Sequence, residues 1–533
     1  MQKHQPYRFS APDREDELRT KFYGLIWEDK KHVHHVSGPW YLLAYLLVLF
    51  GFLSLGFRLF LDSSELYIVP SAILLAWIVY GVCRRVWSNE HWPSFRESLP
   101  AAVKLFIVSK WESLIALVSS PIIAAFVLLE RCFDRRYLPL WIVTRVASIS
   151  VLASSALMIY CDANIFSRCP YLQPLIARSW TDLVHDRATD TVWSRLGLVG
   201  HYVGSWLGWT YAQAMAFAAI GCFVYWFFGP RIDTNARALP GGVHHLSDLH
   251  ITSGADKPIQ PNPFSNKKVF KKLRAQARVA DVLVITGDIT DGGLREEWHD
   301  FLAACRQLQV ATKFVMCPGN HDLHPYSHKY RPKVSAIPMT SCLPRLRKIR
   351  YLRAVGELCL GGNVMGAGGP IALNDYVARY DSVFSEYAYG NDGTLAREID
   401  SIWEAAFPMF WTIADKTFVA LDTNRLPSNL LTSALGEVST AQLRRLKQIA
   451  KRLPTDTKLV VLGHHHVYTP PSKNLWIEFK MKYLQLLRSN ALTRVLSKID
   501  CHYLHGHRHY TFRFSIGKMS VASAPSSRYD DTV

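Results

Sequence analysis

The sequence predicts an all-α transmembrane helical region followed by an α/β domain. At 533 residues the chain is longer than one hydrophobic core usually serves, so at least two domains are expected. Long apolar runs are concentrated before about residue 230, whereas short runs rich in Val, Ile and Leu alternate with polar amphipathic stretches after it. We therefore expect four segments, which are a tail at 1–39, a membrane region at 40–229, a linker at 230–242 and the α/β domain at 243–533.

The membrane region contains four apolar runs close to the roughly 20 residues that cross a bilayer, at 40–61, 67–83, 140–160 and 206–228. The first run begins too late and is too long for a cleaved signal peptide. A shorter stretch at 114–129 has basic residues on both sides, which argues against a crossing. Four crossings place the basic N-terminal tail and the α/β domain together in the cytoplasm, whereas a fifth crossing at 114–129 would move the domain to the opposite face.

The net charge and the cysteine content limit which binding partners and which cellular compartment are expected. The formal net charge of +18 favours anionic partners, and the apolar runs make membrane lipids the simplest of these. The sequence has no nucleic-acid-binding motif, so we expect no nucleic-acid partner. An odd number of cysteines in the α/β domain and the lack of a C-x-x-C pair indicate a reducing compartment, consistent with a multi-pass cell-membrane protein whose α/β domain is cytoplasmic. Cys161 and Cys169 form either an outer-face disulfide or two separate thiols.

In the α/β domain that follows the linker, five predicted strands end directly in polar residues. The strands are Val243–Leu246, Val282–Thr286, Lys313–Cys317, Leu459–Leu462 and His502–His505. The blocks that follow them are Ser247-Asp248-Leu249-His250, Gly287-Asp288-Ile289-Thr290-Asp291, Pro318-Gly319-Asn320-His321-Asp322, Gly463-His464-His465-His466 and Gly506-His507-Arg508-His509. Ligands of open α/β sheets bind beyond the carboxyl ends of the strands, so these loops are expected to converge. Asp, Asn and His are ligands suited to Mn, Fe or Zn.

These blocks, D-x-H, G-D-x-x-D, G-N-H-D, G-H-H and G-H-x-H in that order, resemble the calcineurin-like metallophosphoesterase family over about residues 243–525. The resemblance implies a sandwich of two sheets flanked by helices and an enzyme that hydrolyses phosphoric ester bonds. Segments at 418–422, 436–443 and 523–526 are more narrowly similar to the cyclic-nucleotide phosphodiesterase branch.

The same resemblance implies a site with two divalent metal ions, Mn, Fe or Zn. The ligands of the first ion would be Asp248, His250, Asp288 and His509, and those of the second Asp288, Asn320, His464 and His507. A carboxylate shared between two cations offsets their repulsion, which explains why one Asp belongs to both sets. Among the adjacent histidines 464 and 465, the first follows a glycine in the spacing of the family and is preferred.

Three further residues are candidates for contact with the substrate or for positioning. His321 is not expected to bind metal and would bind phosphate or protonate the leaving group. Asp322 would orient the ring of His321. Arg508 either contacts the substrate phosphate or faces solvent.

Residues 323–415 are predicted to be an insertion, with a basic stretch at 345–353 and a glycine-rich one at 361–369. Long insertions in compact domains tend to be caps or binding elements, so we expect this one to select the substrate. The alternative is a solvated helix with glycine loops.

Several functions and substrates remain open at this stage. A soluble cyclic nucleotide, a lipid-linked phosphate and a phosphoprotein are all compatible with the motifs, and the oligomeric state is not indicated. A membrane sensor or transporter with a phosphoesterase as its output is the alternative function. The apolar runs contain few charged residues, Arg58 and Arg145 being the clearest, and this favours an anchor over a transport path.

Overall fold

The computed structural model describes residues 235–253, 265–323, 343–389, 395–424, 436–454, 457–469, 484–487 and 489–528, together with positions 8, 9, 149, 212, 213, 216, 220, 232 and 233. The chain divides into two compact units, one formed by Met1–His35, Tyr80–Ser109 and Pro230–Val533, the other by Val36–Val79 and Lys110–Gly229. The predicted membrane spans and the Cys161–Cys169 pair lie almost wholly outside the described residues. Among the residues that are described, no helix combines the length and hydrophobicity of a membrane span.

The described part of the chain contains two β-sheets. Their strands are β1 Ile232–Asp233, β2 Val243–Leu246, β3 Val282–Thr286, β4 Lys313–Cys317, β5 Asn363–Gly366, β6 Gly369–Ala372, β7 Met409–Ile413, β8 Lys416–Ala420, β9 Lys458–Leu462, β10 Cys501–His505, β11 Phe512–Ile516 and β12 Met519–Ser523. One sheet has the order β2-β3-β4 and the other has the order β1-β11-β12-β10-β9-β8-β7-β5-β6. The five strands expected before the polar blocks are confirmed, three of them with the expected bounds.

Helices accompany both sheets. They are α1 Asn266–Ala277, α2 Arg295–Arg306, α3 Asn320–Leu323, α4 Leu343–Leu358, α5 Leu373–Arg379, α6 Asp381–Tyr389, α7 Leu395–Ala406, α8 Thr440–Arg452 and α9 Ser489–Leu496. Helix α8 begins where the side chain of Ser439 accepts a hydrogen bond from the backbone N–H of Gln442, at 3.2 Å. This N-cap satisfies one of the donors that a helix leaves unpaired at its start. The α/β architecture of sheets flanked by helices is therefore present.

Parallel pairing brings the functional loops to the same edges of the sheets. All five residues of β3 are buried, as expected for a parallel strand covered on both faces. Strands β2, β3 and β4 pair in parallel, as do β8, β9 and β10. One hydrophobic core contains residues of both sheets, among them Val284 and Phe418. The carboxyl ends of these strands consequently carry the loops that form the site.

The predicted insertion is built into the larger sheet. Strand β5 pairs with β7 through Val364 and Met409, and β7 continues into β8. Residues 343–413 therefore contribute three strands and four helices to the domain core instead of forming a separate cap.

The basic stretch of this segment is the buried helix α4, so the alternative of a solvated helix is wrong. Arg347 is only 2% exposed, and Arg350 donates from Nη1 to the carbonyl of Gly293 at 2.9 Å. Lys348 Nζ lies 2.8 Å from a carboxylate oxygen of Asp400. These cations are used inside the domain, so α4 is neither a solvated helix nor an exposed basic surface.

The predicted linker is partly attached to the larger sheet. Ile232 pairs with Ile516 of β11, and the guanidinium of Arg237 donates to the Ser520 hydroxyl and to the Cys501 carbonyl at 3.1 Å each. An arginine side chain carries several N–H donors and can therefore satisfy neighbouring acceptors at a sheet edge. The polar and turn-forming residues from which the linker was predicted do not indicate this role.

Candidate metal centre

The loops after five strands carry polar side chains to a common place. The loops after β2, β3 and β4 supply Asp248, His250, Asp288, Asn320 and His321, and the loops after β9 and β10 supply His464, His507 and His509. Both sheets therefore contribute to the site, as expected from the five motif blocks.

The first group of possible ligands consists of Asp248, His250 and His509. His509 Nε2 lies 3.4 Å and His250 Nε2 lies 4.0 Å from Asp248 Oδ1. His250 Nε2 is also 3.7 Å from Asp288 Oδ2. These spacings allow one cation to be held by imidazole nitrogens and carboxylate oxygens together.

The second group consists of Asp288, His464 and His507. His464 Nε2 lies 3.2 Å from Asp288 Oδ2 and 3.0 Å from Asn320 Oδ1. His507 Nδ1 is 3.1 Å from the same nitrogen of His464. The carboxylate of Asp288 thus lies between the two groups, and the seven candidate ligands lie together.

The backbone at these residues is in an unusual conformation. Six described non-glycine residues have a positive φ, and five of them are candidate ligands, namely Asp248, His250, Asp288, His507 and His509. Residues held in such regions cost about 1–3 kcal/mol each, persist only when the surrounding fold enforces them, and cluster at functional sites. The fold therefore strains the backbone where these side chains are aimed inward.

Glycines beside the ligands allow close backbone approach. Gly287 has φ +86°, and a Cβ there would lie 2.6 Å from His464 Nδ1. A Cβ on Gly319 would overlap the backbone nitrogen of Asp288. The loops after β3 and β4 can therefore meet only because both positions lack a side chain.

Electrostatics favour positive charge at this place. Burial alone would raise the pKa of Asp288, yet His464 and His321 hold it well below its usual range. Burial opposes the protonated form of His464, but the Asp288 carboxylate outweighs burial and raises the pKa of His464 to about 9. A cation, whether a proton or a metal ion, is therefore stabilised between these side chains.

The side chains present fit divalent metal ions. His507 Nε2 is buried and has no hydrogen-bond partner among the described residues, so it keeps a lone pair or proton that a ligand can engage. Burial holds the pKa of His507 well below its usual range, which keeps the ring neutral as metal binding requires. A set of His, Asp and Asn without cysteine suits Mn, Fe or catalytic Zn.

The surroundings of His321 differ from the prediction. Its Nδ1 lies 2.9 Å from the carbonyl oxygen of Asp291, whereas the Asp322 carboxylate accepts hydrogen bonds from Thr290 and from the backbone of Gly319. In the structure Asp291, not Asp322, lies against the His321 ring. Asp322 instead connects the loops after β3 and β4, because its two oxygens face backbone donors of both loops.

Asp291, the last residue of the G-D-x-x-D block, has a role that the sequence did not indicate. Its Oδ1 lies 3.1 Å from His250 Nδ1, and Asp291, His250 and His321 form a third group that could hold a metal ion. A carboxylate on the second ring nitrogen of a metal-binding histidine fixes its orientation. The spacing of Asp291 from Asp288 is the signal in the sequence, but only the fold connects it to His250.

The remaining histidines near the site have other contacts. His465 Nδ1 is 2.9 Å from the Thr423 hydroxyl, which supports the preference for His464 in the second group. His244, His245 and His466 contact Gln276, Thr286 and Thr469 respectively, as expected for satisfied polar residues, while His324 and His328 lie outside the described residues.

Arg508 does not face solvent. It is 4% exposed, and its guanidinium carbon lies 5.2 Å from the centroid of the Phe512 ring. The solvent-facing alternative is therefore wrong.

Comparison with known proteins adds a short similarity in sequence. An 86-residue stretch is 30% identical to a 3′,5′-cyclic-nucleotide phosphodiesterase of a Nostoc strain, covering 16% of this chain and 32% of that protein. The chain thus spans about a third of the length of the curated relative it matches.

Among solved structures, the chain is similar to a purple acid phosphatase from yellow lupin at 10% identity, with a TM-score of 0.30 over 54% of this chain and 44% of the other. It is also similar to a phosphopantetheinyl hydrolase from Mycobacterium tuberculosis, at 12% identity and a TM-score of 0.27 over 54% and 89% of the two chains. A putative 5′-nucleotidase from Staphylococcus aureus gives 13% identity and a TM-score of 0.27 over 54% and 48%.

The family model of the calcineurin-like phosphoesterases matches residues 242–510. This range includes all five motif blocks and every candidate ligand, and it covers half of the chain. The chain therefore belongs to the calcineurin-like phosphoesterase family.

Proposed function

We propose that the domain hydrolyses a phosphoester or phosphoanhydride with a dinuclear metal site. The observation that carries this proposal is the position of Asp288, whose Oδ2 lies 3.7 Å from His250 Nε2 in one group and 3.2 Å from His464 Nε2 in the other. Asp248, His250, Asp288 and His509 would hold one ion, and Asp288, Asn320, His464 and His507 the other. When bound, the ions supply an acidified water molecule and neutralise charge on the phosphoryl oxygens.

The chain itself supplies the groups that orient these ligands. Asp291 holds His250 through the ring nitrogen that faces away from Asp288, and the carbonyl of Thr286 lies 2.8 Å from His464 Nδ1. Both contacts leave Nε2 of each ring directed to Asp288. The ligand rings are thus fixed before any substrate arrives, which lowers the cost of organising the transition state.

His321 is proposed to act on the substrate directly. A carbonyl can only accept, so the 2.9 Å contact with Asp291 requires Nδ1 of His321 to carry the hydrogen. In the protonated ring, Nε2 then carries the proton that can be given to a leaving oxygen. Arg508 is proposed to contact the substrate phosphate.

Metal content is the direct test of the dinuclear site. Purified full-length chain should contain about two transition-metal ions and lose activity to a chelator, with Mn restoring more activity than Mg, because neutral imidazole prefers borderline metals to Mg. Active protein with no bound metal would refute the proposed site.

For the substrate we propose a small phosphodiester, with a 3′,5′-cyclic nucleotide as the first candidate. Two observations support it. The Nostoc relative is named as a 3′,5′-cyclic-nucleotide phosphodiesterase, and the cations of α4 are paired inside the domain, so this helix offers no exposed basic surface to an anionic lipid. A panel of cyclic nucleotides, a lipid diphosphate in mixed micelles and a phosphopeptide, assayed under one metal condition, decides among the three classes. A clear preference for the lipid would reverse this choice.

We also propose that the apolar runs at 40–61, 67–83, 140–160 and 206–228 anchor the enzyme in the cell membrane with the catalytic domain in the cytoplasm. In this arrangement the domains are the tail at 1–39, the membrane region at 40–229 and the phosphoesterase domain from 243 onward. After cell breakage the full chain should stay in the membrane fraction through a carbonate wash. Release by carbonate would refute the anchor and leave the catalytic proposal unchanged.

A further inference from the structure

Two residues near the N-terminus, Phe9 and Arg8, pack into the phosphoesterase domain, although 286 and 381 residues separate them in sequence from their hydrogen-bond partners. Phe9 is 8% exposed and belongs to the hydrophobic core of the domain. Its carbonyl oxygen accepts a hydrogen bond from Nη1 of Arg295, the first residue of α2, at 2.5 Å. An apolar side chain and a backbone acceptor are thus both satisfied by the domain.

A second contact fixes the preceding residue. The backbone N–H of Arg8 donates to the phenolic oxygen of Tyr389, the last residue of α6, at 3.2 Å. Arg8 and Phe9 also border a cavity of about 500 Å³ whose other walls come from α2, α4 and α5. The tail residues therefore contact α2 and α6 and share a cavity with α4 and α5. They belong to the same compact unit as the domain, which is formed by Met1–His35, Tyr80–Ser109 and Pro230–Val533.

We propose that the N-terminal tail docks on the phosphoesterase domain through Phe9 and thereby places both on the same face of the membrane. The statement that both lie on the same face of the membrane rests on the proposed membrane anchor, whereas the docking itself does not. A chain that leaves the domain after residue 9 and returns to it at β1 must cross any bilayer between these points an even number of times. The docking therefore supports four crossings and excludes a single additional crossing at 114–129.

Photo-crosslinking tests the docking without reference to the membrane. Phe9 is replaced in the full-length chain by p-benzoylphenylalanine, whose extra ring can extend into the adjacent cavity. On a gel, the crosslinked protein should have the mass of one chain. After digestion, the peptides joined to position 9 should come from α2, α4 or α5. The same replacement at Val310, which is 95% exposed, should give no crosslink to the tail.

Two results of this experiment would overturn the docking. Crosslinks from position 9 only to lipid or to residues 36–229 would show that the tail lies elsewhere. Crosslinks found only in species with the mass of two chains would show that Phe9 binds a second copy of the chain.

Protease accessibility tests the shared face. Recognition sites for one sequence-specific protease are added before Met1 and after Val533, and the enzyme is applied to sealed right-side-out and inverted vesicles. Both sites should be protected in the first preparation and cleaved in the second. Cleavage of one site in each preparation would show that the two ends lie on opposite faces and would overturn the proposal. Release of the chain by a carbonate wash would refute the anchor, and the docking would then be tested by the crosslinking experiment alone.

Discussion

The metal-site loops and helix α4 are both rich in charged residues, yet they use charge in opposite ways. In the loops, Asp248, Asp288 and several histidines are crowded together, many of them at residues with positive φ, and a bound cation would stabilise this arrangement. In α4, Lys348 and Arg345 both contact Asp400, and Arg350 is satisfied by a backbone carbonyl. Charge that remains available for a ligand indicates a functional site, and charge that is paired within the chain indicates a structural one.

This difference predicts separate consequences for mutations in the two regions. Changes in the loops should affect activity and metal content with little loss of stability, because strained residues at a site are not selected for stability. Changes in α4 and its partners should affect stability, because they leave a buried cation without its partner.

The largest effect is expected for Asp288→Asn. Replacing the shared carboxylate by an amide removes one negative charge from both ligand groups, so both metal ions should be weakened together and activity should be abolished on every substrate. Elemental analysis and a substrate panel measure this. Asp415→Asn is the matched control, since that carboxylate is half exposed and its ion-pair partners in the described part of the chain are Lys416 and Lys458. Retention of two metal ions by the Asp288 variant would contradict the shared role.

A smaller loss, and one that depends on the leaving group, is expected for His321→Ala. General acid catalysis typically contributes about 10²–10⁴ in rate, and an activated aryl ester needs little protonation of its leaving oxygen. The variant should therefore be slowed by this factor on an alkyl phosphodiester and much less on an aryl ester, with both metals retained. Loss of metal would instead favour the alternative group of Asp291, His250 and His321 as an ion site.

The smallest catalytic effect, and a clear loss of stability, is expected for Asp400→Asn. The change leaves Lys348 and Arg345 without their carboxylate, which should lower the free energy of unfolding by about 1–3 kcal/mol while activity at low temperature is unchanged. Thermal unfolding at pH 7 with Asp415→Asn as the control measures this. A loss of activity without a loss of stability would mean that α4 acts on the substrate.

The effect of Asp400→Asn should also depend on pH. Burial alone would raise the pKa of Asp400, but Lys348 and Arg345 lower it below its ordinary value of 3.8. A carboxyl whose folded pKa is lowered stabilises the fold above its unfolded pKa and loses that contribution as the pH falls through the folded value. The difference between the variant and the unchanged protein should therefore be full at pH 7 and shrink below about pH 4.

Local patterns in the sequence determined most of the catalytic architecture. Strands β3 and β4 are short, mainly apolar runs that end in glycine or polar residues, and their bounds follow from the residue types alone. The candidate ligands could be named before any geometry was known, because the order and spacing of the five blocks resemble those of the calcineurin-like family. That parallel strands end at a common edge explained only why the blocks should converge. The chemistry of Asp, Asn and His then indicated metal without reference to the fold.

Only the tertiary structure decided which partners the charged residues and the residues of the linker and tail contact. Asp291 proved to orient His250 and contact His321, and the cations of α4 proved to be internal, because pairing between residues far apart in sequence leaves no periodic signal. For the same reason Arg237 of the predicted linker and Phe9 of the tail were not expected to pack on the domain. The residue type determines which contacts a side chain can make, and only the folded chain determines which of these contacts are within reach.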